Sequence, residues 1–244
     1  MTIEPLLLTA TCVRTFKGDT ALTNASGFFF AREERLFLVT SRHVLRDEAT
    51  AHFPDRIEIE LHVDADNMAS AENLSLPLYD PDGAALWRQG VDGSGEVDVG
   101  AYEIARKLLP QKAVYRAFGR AHLCGEFDKV DVGSSVLILG FPLGFHDTLH
   151  HMPVARQGVV ASSFGLRFQG QGYFLTDARM HRGASGAPVV ARVPALQASQ
   201  GDLPWTLLGV HSARLDVGRD AQQDEALGLN CAWYADILLA LTEG

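Results

Sequence analysis

Apolar residues in this chain recur at every second position or in short runs, and seldom at helical spacing. Period two puts alternate side chains on opposite faces of a strand, and short apolar runs suit strands buried on both faces. The pattern therefore predicts an all-β fold. Leu6–Phe16 reads as a strand. Gly27–Ala31 and Leu36–Thr40 read as a hairpin that turns at Arg32–Arg35. Ile57, Ile59, Leu61 and Val63 alternate along Arg56–Val63. NLSLPLYD and AALW flank a DPDG turn and predict a second hairpin. Val97–Ile104 reads as a buried strand. Strand signals fade over 106–126, where Arg106, Lys107, Lys112, Arg116 and Arg120 cluster. They resume in SSVLILGFP, ARQGVVASSFG, GYFLTDA, GAPVVARV and WTLLGVHSA. Residues 64–73 and 216–225 read as solvated loops. The tail from Cys231 carries a stripe of Trp233, Ile237 and Leu241, which predicts a C-terminal amphipathic helix. The order of strands, linker, strands and helix is that of two antiparallel β-barrels side by side. The expected boundaries are 1–105, linker 106–126, 127–230 and helix 231–244, all within one domain over 1–244.

Composition narrows the partners. The 244 residues hold 21 Lys and Arg against 30 Asp and Glu, a formal charge of −9. Such a surface repels phosphate backbones, so nucleic acid is not an expected partner. No apolar run approaches the ~20 residues that span a bilayer. The longest, VLILGFPLGF, is broken by Gly140 and Pro142, and no membrane association is expected. The first residues lack a basic stretch ahead of their apolar run, which predicts no secretory signal and a cytoplasmic location. Cys12, Cys124 and Cys231 lack zinc-ligand or redox spacing and are expected to be buried thiols.

Three segments carry the residues of acyl-transfer chemistry. In MHRGASGAPVV, small residues surround Ser185. A nucleophilic serine needs its own N–H, and that of Gly183, aimed at the oxygen that becomes negative, and glycine permits such a backbone. In FLVTSRHVLRD, His43 ends an apolar strand, where an imidazole can face a cleft as general base. In EVDVGAYEI, Asp98 lies among apolar neighbours, and a carboxylate there needs a partner such as an imidazole N–H. Read singly, each also fits a plain turn, a surface histidine or an edge aspartate. Together they stand in the order His43, Asp98, Ser185, two in the first half and one in the second.

These blocks, with VLILGFPLG, RQGVVAS and LLGVHSA, resemble the trypsin/chymotrypsin-like serine peptidases, most closely the bacterial HtrA-like branch, over about residues 25–240. The resemblance implies two six-stranded, chymotrypsin-like barrels with a C-terminal helix, and a serine endopeptidase working through an acyl-enzyme on Ser185. It makes His43 the base, Asp98 the orienting carboxylate and the Gly183 and Ser185 N–H groups the oxyanion hole, with Ser212 near the aspartate. No cofactor and no metal is implied. Ala184 stands where trypsin-like zymogens carry an aspartate, which argues against activation by N-terminal trimming. Gly100 stands where a bulkier residue is frequent. No PDZ domain is expected after the peptidase unit.

By the same resemblance, Arg179, Met180, His211, Ser212, Ala213 and Arg214 wall the pocket before the scissile bond. His211 suits cleavage after Glu, Gln or Asp, whereas Met180 and Ala213 suit small apolar residues. The partner expected is a protein or peptide substrate, with a regulatory partner protein as a further expectation. Two rivals remain: a catalytically silent, protease-like protein-binding module, and an esterase with the same triad. His146, His150 and His151 share a segment whose alternation points neighbours apart, and a solvated loop is expected there.

Overall fold

The structure, a computed structural model, describes residues 3–125, 127–192, 203–217 and 225–243. The first sheet holds β1 (Ala10–Lys17), β2 (Thr20–Arg32), β3 (Arg35–Thr40), β4 (Arg56–His62), β5 (Ala71–Pro77), β6 (Trp87–Asp92), β7 (Gly95–Ile104) and β8 (Phe118–Gly119). Its order is β5-β4-β1-β2-β3-β7-β6, and β8 adds in parallel to β2. The second sheet holds β9 (Ser135–Gly140), β10 (Val154–Val159), β11 (Tyr173–Thr176), β12 (Pro188–Ala191), β13 (Thr206–Val217) and β14 (Glu225–Tyr234), in the order β10-β9-β12-β13-β14-β11. Two short helices, α1 (Arg42–Leu45) and α2 (Ile237–Leu241), complete the α-helical content of the described residues.

Each sheet curls until its edges meet. β5 and β6 are opposite edges of the first sheet, yet Tyr79 bridges Ala85 across the DPDG turn and the Leu86 N–H donates to Leu78 O at 2.9 Å. The turn expected to close a simple hairpin thus closes a barrel. β10 and β11 meet likewise through the Val160–Thr176 bridge. The first sheet has eight strands against the six expected, the short β8 among them.

Side-chain alternation supplies three cores. Phe29 of β2 points into the first barrel with Leu38, Ile57, Ile59 and Leu61. Its neighbours Phe28 and Phe30 point the other way, into a core between the barrels with Leu139, Val190, Leu207 and Val210. The second barrel is filled by Val136, Ile138, Phe174, Val189 and Leu208. The unbroken apolar run in GFFFA is therefore a strand buried on both faces.

The helix expected over 231–244 is shorter. Ala232 and Tyr234 face the second barrel's core while Trp233 and Ala235 face the shared core, which is period two, so the segment completes β14. The helix occupies only Ile237–Leu241, with Leu238 and Leu241 buried. The 216–225 loop is also shorter at both ends, since Asp216 pairs with Ala226 and Val217 with Glu225. Cys12, Cys124 and Cys231 are buried, and none forms a disulfide. No helix among the described residues is long and apolar enough to cross a membrane.

Candidate active site

His43 is carried to the seam by one helical turn. β3 ends at Thr40, Ser41 stands extended at the N-cap, and α1 follows. Leu45 of α1 packs onto Gly100 of β7, where a Cβ would lie only 2.8 Å from Leu45 Cδ1. A side chain there would displace the end of Leu45, so the glycine lets Leu45 lie flat against β7.

Asp98 sits two residues before Gly100 and receives three hydrogen bonds. The His43 backbone N–H donates to Oδ1 at 2.8 Å, and His43 Nδ1 lies 2.7 Å from Oδ2. The Ser212 hydroxyl donates to Oδ2 as well. The carboxylate accepts the Nδ1 proton, so the lone pair of the neutral imidazole is on Nε2. Burial alone would push the His43 pKa down, but the hydrogen bond and charge of Asp98 outweigh it and hold it above the ordinary histidine value. Burial pulls Asp98 up, and the bonds from His43 and Ser212 bring it below the ordinary aspartate value.

Ser185 lies on the turn that precedes β12, where Gly183 and Gly186 have φ of +90° and +85°. A Cβ on Gly186 would come within 2.2 Å of both Ser26 O and Thr40 Oγ1, so the turn can press against the first barrel only with glycine there. The Leu143 N–H donates to Arg182 O at 2.6 Å. In a trans peptide the carbonyl and the following N–H point opposite ways, so this bond turns the Gly183 N–H away from Leu143. Among the described residues neither the Gly183 nor the Ser185 N–H has an acceptor within the protein. Leu143 itself is left-handed, at φ +55°, and 72% exposed.

His43 and Ser185 line one cleft of about 770 Å³, with Ala25, Leu143, Arg182 and Gly183. The Ser185 hydroxyl donates to Ser212 O at 3.0 Å, and among the described residues no hydrogen bond joins it to His43. Such bonds are often long or misaligned before substrate binds. None of the six expected specificity residues is among those that line this cleft, although Ser212 touches both Asp98 and Ser185 at its edge. Met180, His211 and Ser212 are buried, Arg179 and Ala213 are exposed, and the side chain of Arg214 lies outside the described residues. Ser212 serves Asp98. His211 Nδ1 has no partner, and burial, followed by the nearby His43, pushes the imidazole down to about 4.

One contributor was missed in the sequence. Ser26 of β2 is fully buried at the seam. Its hydroxyl donates to Gly183 O at 2.8 Å and accepts the Phe141 N–H at 3.0 Å, while its own N–H donates to Ser185 O at 2.9 Å. The run of small residues Ala25-Ser26-Gly27 is its only trace in the sequence, a sign of close backbone approach.

A family model described as a trypsin-like peptidase domain matches residues 25–193. No curated protein matches the sequence. Among solved structures, the chain is similar to a serine endoprotease from Yersinia pestis, at 14% identity and TM-score 0.53, over 96% of this chain and 61% of that one. It is also similar to Rv3671c from M. tuberculosis in a mutant, inactive form, at 14% identity and TM-score 0.52, over 96% of this chain and 84% of that one. At these identities the likeness is one of fold.

Proposed function

Because the chain belongs to the trypsin-like peptidase domain family, we propose that it is a serine endopeptidase in which Ser185 attacks the scissile carbonyl. His43 Nε2 takes the Ser185 proton and later delivers it to the leaving amine. Asp98 holds the imidazole in the tautomer this requires and stabilises the imidazolium that forms. The Gly183 and Ser185 N–H groups receive the oxyanion. An acyl-enzyme on Ser185 follows, and a water activated by His43 hydrolyses it. The observation that carries this reading is the Asp98–His43 pair, braced by Ser212, opening on the same cleft as Ser185.

For the residue before the cut, the apolar Met180 and the small Ala213 as pocket walls suit small apolar side chains, the reading favoured here. A second reading rests on the unpartnered, buried Nδ1 of His211. A neutral imidazole can recognise an uncharged carboxamide, so Gln fits this reading better than Glu or Asp.

Digestion of a peptide library, with labelling by a fluorophosphonate probe, tests both levels. Labelling that vanishes in Ser185→Ala, with cleavage after Ala, Val or Leu, is the expected result. Absence of labelling in the wild type would favour the silent binding module. Labelling with hydrolysis of short esters and no peptide would favour the esterase. Cuts confined to Gln would move the specificity to His211.

A further inference from the structure

Beyond the cleft, the loop after Gly144 brings two histidines to a carboxylate on the first barrel. The loop is folded back on itself. Asp147 and Met152 exchange backbone hydrogen bonds at 3.1 and 3.3 Å, and the Asp147 carboxylate accepts the Leu149 and His150 N–H groups. His62, the last residue of β4, seats the loop on the first barrel through a 2.8 Å bond from Nε2 to His150 O.

Within this frame His146 Nδ1 lies 2.7 Å from Gly144 O. That carbonyl can only accept, so Nδ1 carries the proton and Nε2 keeps its lone pair. His151 has φ +53°, a left-handed backbone uncommon for a residue with a side chain. The rings of His150 and His151 face different partners, Asp147 and Glu60. His151 Nδ1 lies 3.2 Å from Oε2 of Glu60 on β4. The other Glu60 oxygen, Oε1, is held by Arg14 of β1. One ligand atom from each of Glu60, His146 and His151 falls within 4.8 Å of the others.

We propose that Glu60, His146 and His151 form a binding site for one divalent transition-metal ion of the zinc type. Two imidazoles and one carboxylate are a donor set that zinc takes with a fourth position left to water, at about 2.0–2.2 Å from each atom. Calcium and magnesium prefer oxygen donors throughout. Ligands of a tetrahedral ion with such bonds stand about 3.3 Å apart, and the Glu60–His151 pair is already near that spacing. His146, half-buried on the rim loop, closes the rest by a side-chain movement. Gly144 O and Arg14 act as outer partners that fix the tautomer of one ligand and the orientation of another. The bound ion would staple the rim loop to β4. Binding requires neither Ser185 nor a substrate, so the site stands or falls apart from the peptidase reading.

The test is titration of the full chain with Co²⁺, followed by visible absorption, and with Zn²⁺, followed by calorimetry. The expected result is one equivalent bound, with affinity falling at least about tenfold in His146→Ala, His151→Ala and Glu60→Gln. His150→Ala should leave binding unchanged, because His150 Nδ1 faces Asp147 at 2.8 Å instead. Zinc should also raise the melting temperature of the wild type but not of His146→Ala. Glu60→Gln loosens Arg14 and can perturb β4, so His146→Ala, on the loop, is the decisive variant. No binding by the wild type, undiminished binding in His146→Ala, or an equal loss in His150→Ala would each overturn the proposal.

Discussion

The Ser26 hydroxyl ties the first barrel to Gly183 and Phe141, on either side of the turn proposed to receive the oxyanion. Ser26→Ala removes that oxygen and leaves the backbone bond from its N–H to Ser185 O in place. Two contacts go. The Phe141 N–H loses its acceptor at 3.0 Å, and Gly183 O loses its donor at 2.8 Å. The Phe141 N–H is buried at the seam, and Gly183 is half-buried at the cleft edge. An unmet buried N–H costs about 1–3 kcal/mol and a lost bond to a carbonyl about 1 kcal/mol, so the variant should be less stable by about 2–4 kcal/mol. The effect on chemistry has an upper bound, because full loss of one oxyanion donor costs about 10²–10³ in rate. Leu143 still holds the Arg182 carbonyl at 2.6 Å, so the Gly183 peptide should drift without flipping. A roughly tenfold fall is therefore expected, well inside that bound. The assays are the second-order rate of fluorophosphonate labelling and urea unfolding. Labelling at the wild-type rate, with stability unchanged to within about 0.5 kcal/mol, would refute the reasoning.

Other consequences follow from the same geometry. Asp98→Asn should cost about 10⁴ in kcat, since an amide can present its NH₂ to His43 and select the wrong tautomer; retention of more than a tenth of the wild-type rate would contradict this. His43 must be neutral to act as base, and its pKa is held above 6.5. Activity should therefore fall as pH drops through a midpoint above 6.5, and Ser212→Ala, which removes a partner of Asp98, should move that midpoint. His211 takes its proton only near pH 4 in the fold, against 6.5 in the open chain. The unfolded state binds the extra proton between these values, so His211 alone should subtract stability as pH falls, reaching about 3 kcal/mol by pH 4. His43 contributes with the opposite sign, so the measurement is the difference between wild type and His211→Gln, by urea unfolding at pH 7 and pH 4.5.

How much of this was written in the chain can be traced residue by residue. The strands were legible where alternation was clean, as in Ile57, Ile59 and Leu61, because one face meets a core and the other water. His43, Asp98 and Ser185 could be singled out because each sits in a local setting that its chemistry needs. What escaped depends on partners distant along the chain. The DPDG turn looks the same whether it closes a hairpin or a barrel. Ser26 looks like any strand serine until Gly183 and Phe141 are folded onto it. Glu60 occupies a solvent-facing position in the β4 alternation, and nothing near it announces two histidines arriving from a loop far downstream. The extent of the last helix was misjudged because Trp233 fits a helical stripe and a doubly buried strand equally well.

The core shared by the barrels makes the halves poor modules. Severed at the linker, one fragment would carry Phe28 and Phe30 bare to water, and the other Val190, Leu207 and Val210. Each piece would be greasy along the flank it lost, prone to clump or to find its mate again. The architecture looks like two units but should be inherited, expressed and melted as one.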